Sequence, residues 1–249
     1  MSAPKTKEQL HLEKEAVAKA AAHFVKSGMK LGLGTGSTAG LFVQMLGERV
    51  RRGELSVEAV GSSKRSEALA QEAGITLTEV RRGLRLDLAV DGADEIGPGL
   101  SLIKGGGGAH LREKVVAAAA NYFLVIADSS KPVKQLGAFP LPVEVVPFAT
   151  PWVMDRIQLL GGNPVLRMDP ASQTLPYLTD QQNYILDCRF RAIPQPAQLA
   201  SELEKIPGIV EHGLFIGYAR AALVAEGSSV RVLYPDGKSQ APSGDQELP

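Results

Sequence analysis

The chain has 249 residues, 44% of them hydrophobic, which suits one large or two modest domains with a sizeable core. Its 27 Lys and Arg balance 27 Asp and Glu, so a net charge of zero removes any bulk attraction for nucleic acid. A single cysteine excludes an internal disulfide, and no apolar run nears the roughly 18 residues that a membrane span needs.

Residues 1–8 look frayed. Residues 11–26 are Ala-rich with interspersed charge and predict a helix, which Gly28 ends. Four apolar runs follow, each closing in a small-polar loop. Residues 29–33 lead into Gly34-Thr35-Gly36-Ser37-Thr38, and residues 57–60 into Gly61-Ser62-Ser63-Lys64. Residues 86–90 lead into Asp91-Gly92-Ala93-Asp94-Glu95, and residues 122–127 into Asp128-Ser129-Ser130-Lys131. Helical stretches at 39–50, 66–73 and 109–120 lie between them. Alternating strands and helices predict a parallel sheet covered on both faces, with a ligand beyond the carboxyl ends of its strands.

The pattern changes after Gly137. Strands are expected at 142–147, 164–168, 183–190 and from 208, with helices at 150–160 and 196–206. This β-α-β-β-α-β order is that of a ferredoxin-like unit. The expected fold class is therefore α/β, a parallel-sheet Rossmann-like domain with a smaller inserted ferredoxin-like α+β domain. The division is 1–136 plus 212–235 for the α/β catalytic domain, 137–211 for the ferredoxin-like domain, and 236–249 for a disordered tail. Cys188 lies in an apolar run and reads as a core residue. A polar N-terminus without a signal-peptide core points to the cytoplasm.

The glycines from Gly32 to Gly36 let backbone approach an anion closely at a strand-to-helix junction. Ser37 and Thr38 add hydroxyl donors beside a positive helix end, a fitting place for phosphate. A plain Gly turn with an N-cap would use the same residues. Gly34 to Ala39 also fits G-x-G-x-x-A, but the second strand ends in Val60-Gly61-Ser62-Ser63 without the ribose-binding acid, which disfavours NAD. No phosphate-binding G-x-x-x-x-G-K-[ST] run is present.

Asp91 and Asp94 stand three residues apart just past a strand. They suit proton shuttling, hydroxyl binding or a magnesium ion, and an Asx turn followed by a cap is the plain alternative. Lys104 opens a run of four glycines that leads straight into a helix. That loop can wrap a ligand in N–H groups while Lys104 supplies positive charge to a developing oxyanion. On the helix, Leu111, Val115, Ala118 and Ala119 form one stripe, and Glu113 falls on another face above Ala117 and Ala120. Apolar neighbours would raise its pKa and suit it to act as a base. A first-turn Glu that favours the helix dipole, or pairs with Arg112 or Lys114, is the plain alternative. Lys131 can neutralise phosphate or stay solvated. The four histidines (His11, His23, His110 and His212) are scattered without metal-ligand spacing, and no metal is expected.

In this set of motifs the chain resembles the type A ribose-5-phosphate isomerases. The matching blocks are Gly-Leu-Gly-Thr-Gly-Ser-Thr-Ala from Gly32, Val-Asp-Gly-Ala-Asp-Glu-Ile from Val90, Ile-Lys-Gly-Gly-Gly-Gly from Ile103 and Leu-Arg-Glu-Lys from Leu111. Ile-Ala-Asp-Ser-Ser-Lys from Ile126 and Phe-Pro-Leu-Pro-Val-Glu-Val from Phe139 continue it, and the resemblance spans about residues 12–235. It implies interconversion of ribose 5-phosphate and ribulose 5-phosphate, a sugar-phosphate ligand, no cofactor, and a homodimer or homotetramer. By position it implies Glu113 as base, Asp91 and Asp94 as the acidic loop, and Lys104 as the loop lysine. Thr35, Gly36, Ser37 and Thr38 would hold phosphate. Gly92, Ala93, Gly105, Gly106, Gly107 and Lys131 would contact substrate, with Lys14 as an N-terminal lysine. The charged stretch Ser62-Ser63-Lys64-Arg65 and His110 depart from the familiar pattern. Two rivals are an acyl-CoA transferase with a glutamate nucleophile and a sugar-phosphate-binding regulator.

Overall fold

The computed structural model describes residues 5–242 and 247–249. Helix α1 (Lys7–His23) is closed at its start by a capping box. The Thr6 hydroxyl accepts from the Gln9 N–H at 3.2 Å, and the Gln9 side chain accepts from the Thr6 N–H at 2.9 Å. These bonds satisfy end donors within the chain. The helix therefore starts before residue 11, and part of the segment expected to fray is ordered. Residues 1–4 lie outside the described residues.

Strand β1 (Lys30–Leu33), α2 (Ser37–Arg51), β2 (Glu58–Gly61), α3 (Lys64–Glu72), β3 (Thr76–Leu77) and β4 (Leu86–Asp91) follow. Two short strands, β5 (Glu95–Ile96) and β6 (Leu102–Ile103), precede α4 (His110–Ala119) and the long β7 (Ala120–Asp128). The chain then makes β8 (Leu141–Val145), α5 (Thr150–Leu159), β9 (Asn163–Leu166), β10 (Tyr184–Arg189), α6 (Pro196–Glu204) and β11 (Ile209–His212). It ends with β12 (Leu214–Phe215), β13 (Ala221–Glu226), β14 (Ser229–Leu233) and β15 (Ser239–Gln240).

The main sheet runs β15-β14-β13-β7-β4-β1-β2-β3. Every pairing from β3 to β13 is parallel, and β14 and β15 add an antiparallel edge. Parallel strands need both faces covered. On one face Val17 and Ala21 of α1 and Phe42 and Leu46 of α2 pack against Leu31, Leu33, Leu88 and Leu124. On the other, Val116 and Ala117 of α4 pack with Ala89, Phe123 and Val125. A side chain at Gly32 would stand 2.4 Å from Val116 Cγ1, so glycine there lets α4 lie close on β1. This α/β architecture, mostly parallel with a separate small antiparallel sheet, is the one expected.

The small sheet has order β11-β8-β10-β9 with antiparallel pairings throughout, and α5 and α6 supply its two helices. That arrangement is ferredoxin-like. Its core includes Val143, Val153, Ile157, Leu186, Leu203 and Cys188, the last fully buried. A third sheet, β12-β6-β5, has strands of only two residues each. Runs that short carry no periodicity to read.

One expectation for the tail is corrected. Ser239–Gln240 pairs with Leu233 and Val232 of β14, because the turn at Gly237, with φ of +82°, folds the chain back on itself. Tyr122 also donates a hydrogen bond to the Pro249 carbonyl. Residues 243–246 lie outside the described residues.

A buried carboxylate on α1 ties the N-terminal segment to the loops after β7 and β13. Glu13 on α1 accepts from Lys5 Nζ, from the Ser129 N–H at 3.0 Å and hydroxyl at 2.8 Å, and from the Gly227 N–H at 2.7 Å. Burial opposes its charge, but Lys5 and the other donors overcome that and hold the carboxyl down at about 2. Its stabilising contribution is therefore complete above pH 4.5 and lost as pH falls through about 2. Glu13→Gln is expected to lower the urea midpoint at neutral pH. Over the same acid window its stability should fall less steeply than that of wild type. Equal slopes would mean that Glu13 does not carry this linkage.

Candidate active site

The carboxyl ends of β1, β2, β4 and β7 meet, so their loops converge. The Gly34 N–H donates to the Val90 carbonyl at 2.9 Å, and the Ser62 N–H to the Leu33 carbonyl at 2.9 Å. A side chain at Gly34 would stand 2.2 Å from Asp91 Oδ1, so glycine permits this contact between loops. Beyond them lies a cavity of about 130 Å³. Thr35, Gly36, Ser37 and Thr38 line one wall, and Gly92, Ala93 and Asp94 another. Lys104, Gly105, Gly106, Gly107 and Glu113 close it, with Lys14 and Lys131 at its edge. Of the residues expected to form a site, only Asp91 is absent from this lining. It sits beneath Lys104.

Lys104 is the centre of the arrangement, 2% exposed. Its backbone N–H is fixed to the Gly213 carbonyl at 2.9 Å, where β6 meets β12. Its Nζ lies 3.0 Å from Asp91 Oδ2 and 3.2 Å from Glu113 Oε2, and donates to the Gly92 carbonyl at 2.6 Å. The Phe215 ring lies 5.4 Å from Nζ and adds an aromatic face to the same cation. Asp91 Oδ1 accepts from the Thr35 N–H at 3.0 Å and the Gly92 N–H at 2.7 Å. Glu113 Oε2 is sealed from solvent and, apart from the ion-pair contact with Lys104, has no hydrogen-bond donor.

Two buried carboxylates share one buried ammonium. Burial is the main force raising Glu113, opposed by Lys104 and reinforced by Asp91 and Asp94, and it pushes the carboxyl up to about 8. Burial raises Asp91 too, against Lys104 and the two N–H donors. For Lys104 burial disfavours the charge, but Asp91 and Glu113 outweigh it and raise its pKa above the ordinary lysine range. The lysine stays charged, and Glu113 can hold or release a proton near neutral pH.

The glycine loop is held from both sides. The Gly106 N–H donates to Asp94 Oδ2 at 2.8 Å. Arg167 Nη1 donates to the Gly105 and Gly106 carbonyls, each at 3.2 Å. Gly105 has φ of +102°, and a side chain there would stand 2.7 Å from His110 Nδ1. His110 is fully buried, and burial, with the Lys114 charge, drives it down to about 3, so the imidazole packs as a neutral ring.

At the other wall, α2 begins after Gly36 with no side-chain cap, which leaves first-turn N–H groups for an anion. Lys14 Nζ donates to the Ser37 hydroxyl at 3.1 Å and lies 3.9 Å from Asp128 Oδ2. Thr35, in the cavity lining, also ties neighbouring loops together. Its hydroxyl bonds Ser62 and Ser63, each at 2.8 Å, and its N–H is taken by Asp91.

Comparison with known proteins bears on this site. Residues 58–229 match the family model of ribose 5-phosphate isomerase A (phosphoriboisomerase A). The chain belongs to this family. A ribose-5-phosphate isomerase A of Thermosynechococcus vestitus is 51% identical over 215 residues, 86% of this chain and 91% of that protein. One from Parvibaculum lavamentivorans is 49% identical over 85% of this chain and 93% of its own length. The structure of the Methanocaldococcus jannaschii ribose 5-phosphate isomerase A aligns with a TM-score of 0.86 at 42% identity, over 92% of this chain and all of that one. A D-ribose-5-phosphate isomerase in complex with phospho-erythronic acid aligns with a TM-score of 0.87 at 36% identity, over 93% of this chain and 100% of that one.

The face of α4 that carries Glu113 above Ala117 is buried, as expected of a carboxylate among apolar neighbours, and the stripe through Val115 is the less buried one. Val115 is 42% exposed, whereas His110, Glu113, Lys114, Val116 and Ala117 are buried. An Ala-rich helix has little apolar contrast between its faces, and ion pairs decide which face turns in. Glu113 meets Lys104, and Lys114 meets Glu211 at 2.6 Å. Arg112 pairs with Glu67 and Asp180 instead of Glu113. Ser62, Ser63 and Arg167 also brace the site. Ser62 and Ser63 stand in a loop already marked by its place after a strand, whereas Arg167 carried no local signal. Among the described residues no helix is long and apolar enough to cross a membrane, and no group of three or more His, Cys, Asp or Glu is placed to hold a metal ion.

The raised carboxyl has a thermodynamic consequence. Folded Glu113 keeps its proton between pH 4.5 and about 8, where the unfolded chain has lost it, so stability falls as pH rises through that window. Glu113→Gln carries no such cost. In urea titrations it should be more stable than wild type above pH 8, with the gap closing toward pH 4.5. A gap independent of pH would contradict the raised carboxyl.

Proposed function

We propose that this chain interconverts ribose 5-phosphate and ribulose 5-phosphate through an enediolate, a step of the non-oxidative pentose phosphate pathway, with Glu113 as the base. Family membership supports the reaction. The observation that carries the residue roles is Lys104 Nζ, 3.0 Å from Asp91 and 3.2 Å from Glu113 at the floor of the cavity.

The 5-phosphate binds at the start of α2, where Gly36, Ser37 and Thr38 offer N–H and hydroxyl donors and Lys14 and Lys131 supply charge. That remote binding fixes the reacting end of the sugar. Asp94 lines the cavity and assists ring opening by moving a hydroxyl proton, while Asp91, held below, orients Lys104. Glu113 removes the C2 proton. Negative charge grows on the carbonyl oxygen, and Lys104 and N–H groups of the glycine loop stabilise it. Asp94 then moves the 2-hydroxyl proton to the oxygen on C1 while Glu113 delivers its own proton to C1, which leaves the ketone at C2.

In this reading residues 1–136 and 212–235 carry the chemistry and residues 137–211 brace it. A homodimer or homotetramer in the cytoplasm goes with it. The buried thiol of Cys188 suits a reducing compartment, and Phe148 and Trp152, 95% and 50% exposed, offer apolar surface to a second copy.

Glu113→Gln should retain the fold and substrate binding but lose turnover by about 10²- to 10⁴-fold, the usual weight of a general base. In wild type kcat/KM should rise with pH up to about 8 as Glu113 ionises. Ribose 5-phosphate deuterated at C2 should lose part of its label to water during isomerisation. Full retention at C1 throughout, or near-normal turnover by the variant, would remove Glu113 from this role.

Because Lys104 already supplies a cation at the reacting oxygen, activity after exhaustive chelation should equal that of untreated enzyme. Loss restored by a divalent ion would recast Asp91 and Asp94 as ligands.

A further inference from the structure

We infer that Arg167, on the ferredoxin-like unit, is a positioning residue that aims glycine-loop N–H groups into the cavity. The inference rests on the reading that this loop stabilises the enediolate oxygen. Arg167 is not among the residues that line the cavity. It acts through two successive peptide groups.

The argument begins with peptide planarity. A trans peptide points its C=O and the following N–H in opposite directions, and the described residues contain no cis peptide bond. Arg167 Nη1 donates to the Gly105 and Gly106 carbonyls, each at 3.2 Å. The Gly105 carbonyl shares its peptide with the Gly106 N–H, which points the other way and donates to Asp94 at 2.8 Å. The Gly106 carbonyl shares its peptide with the Gly107 N–H. That N–H must also point away from Arg167, Gly107 lines the cavity, and among the described residues this N–H has no acceptor. One guanidinium thus sets the direction of one N–H that holds an acid of the site and of another left free for a ligand. A cation on the carbonyl side also polarises each peptide and strengthens its N–H as a donor.

Arg167 is itself immobilised. Its Nε donates to Asp187 Oδ2 at 2.8 Å, and its Nη2 to the other carboxylate oxygen, a two-pronged pairing that a lysine cannot reproduce. Its backbone N–H donates to the Ile185 carbonyl at 2.8 Å, and its carbonyl accepts from the Tyr177 N–H at 2.9 Å. The Tyr177 ring lies 5.8 Å from the guanidinium carbon. Glycine needs such bracing. Without side chains the loop has many conformations to lose, and nothing of its own selects one.

The test uses the full chain with Arg167→Met, Arg167→Lys and Asp187→Asn. Turnover of ribose 5-phosphate is measured alongside binding of phospho-erythronic acid and of inorganic phosphate. Misaimed oxyanion donors typically cost about 10²-fold. Arg167→Met is expected to lose roughly 10- to 100-fold in kcat with KM within about threefold of wild type. Arg167→Lys should recover only part of the loss. Asp187→Asn, which keeps the cation but loosens its seat, should show a smaller loss of the same kind. Phospho-erythronic acid should bind more weakly in proportion to kcat/KM, while phosphate affinity stays unchanged. Unchanged kcat in Arg167→Met would overturn the inference. So would full recovery by lysine, or parallel losses in phosphate affinity and melting temperature that mark a merely structural role. Wild-type turnover tests the parent reading separately, since a wild-type chain that leaves ribose 5-phosphate unchanged would overturn both.

Discussion

A single buried ammonium organises the site. Lys104 has lost nearly all contact with water, and an isolated charge in that position would be prohibitively costly. It is tolerated because Asp91, Glu113 and the Gly92 carbonyl surround it. The three charged groups arrive on different elements. Asp91 ends β4, Glu113 stands one turn into α4, and Lys104 follows β6. The requirement that these three meet therefore ties the end of the parallel sheet to the helix above it. The small β12-β6-β5 sheet serves that requirement directly, since its pairing holds the Lys104 backbone beneath Gly213.

The same requirement explains several glycines. Gly34 allows the β1 loop to touch Asp91, Gly32 admits α4 against the sheet, and Gly213 would collide with the Lys104 carbonyl if it carried a side chain. These are packing needs around a charge cluster, distinct from the flexibility usually associated with glycine-rich loops. The loop from Gly105 to Gly108 differs. Its positive φ at Gly105 and Gly108 demands glycine for the backbone, and outside contacts hold it in place.

Where elements alternate over long apolar runs, sequence and structure agree closely, since burial on both faces leaves an unmistakable pattern. The strands β1, β2, β4 and β7 and the order of the ferredoxin-like unit were legible for that reason. So was the convergence of polar loops at the strand ends, which follows from topology. The inward face of α4 was legible only in part: Glu113 was placed among apolar neighbours, but alanines on every side hide the choice between faces, and distant partners, Lys104 and Glu211, select it. The bonds of the Thr35 hydroxyl to Ser62 and Ser63 were not legible either, because no local spacing announces a pairing between loops. Arg167 was invisible for the same reason. The glycine-loop carbonyls it meets lie about sixty positions away, and its partner Asp187 lies on another strand.

The charge arithmetic of the cluster connects stability to the proposed chemistry. With Asp91 ionised, Lys104 is already matched, and a second charge on Glu113 leaves one negative charge in excess in a space closed to water. Folding favours the protonated form, and the carboxyl rises to about 8. On the proposed mechanism, substrate enters while Glu113 is ionised and that excess is present. Taking the C2 proton makes Glu113 neutral, and the negative charge reappears on the enediolate oxygen. The count of charges around Lys104 does not change; one anionic partner replaces another. The ammonium and the loop N–H groups need little reorganisation, which is the condition under which fixed dipoles lower a barrier most. The strain that makes Glu113 an uncomfortable carboxylate in the resting protein is thus relieved at the moment it takes up a proton.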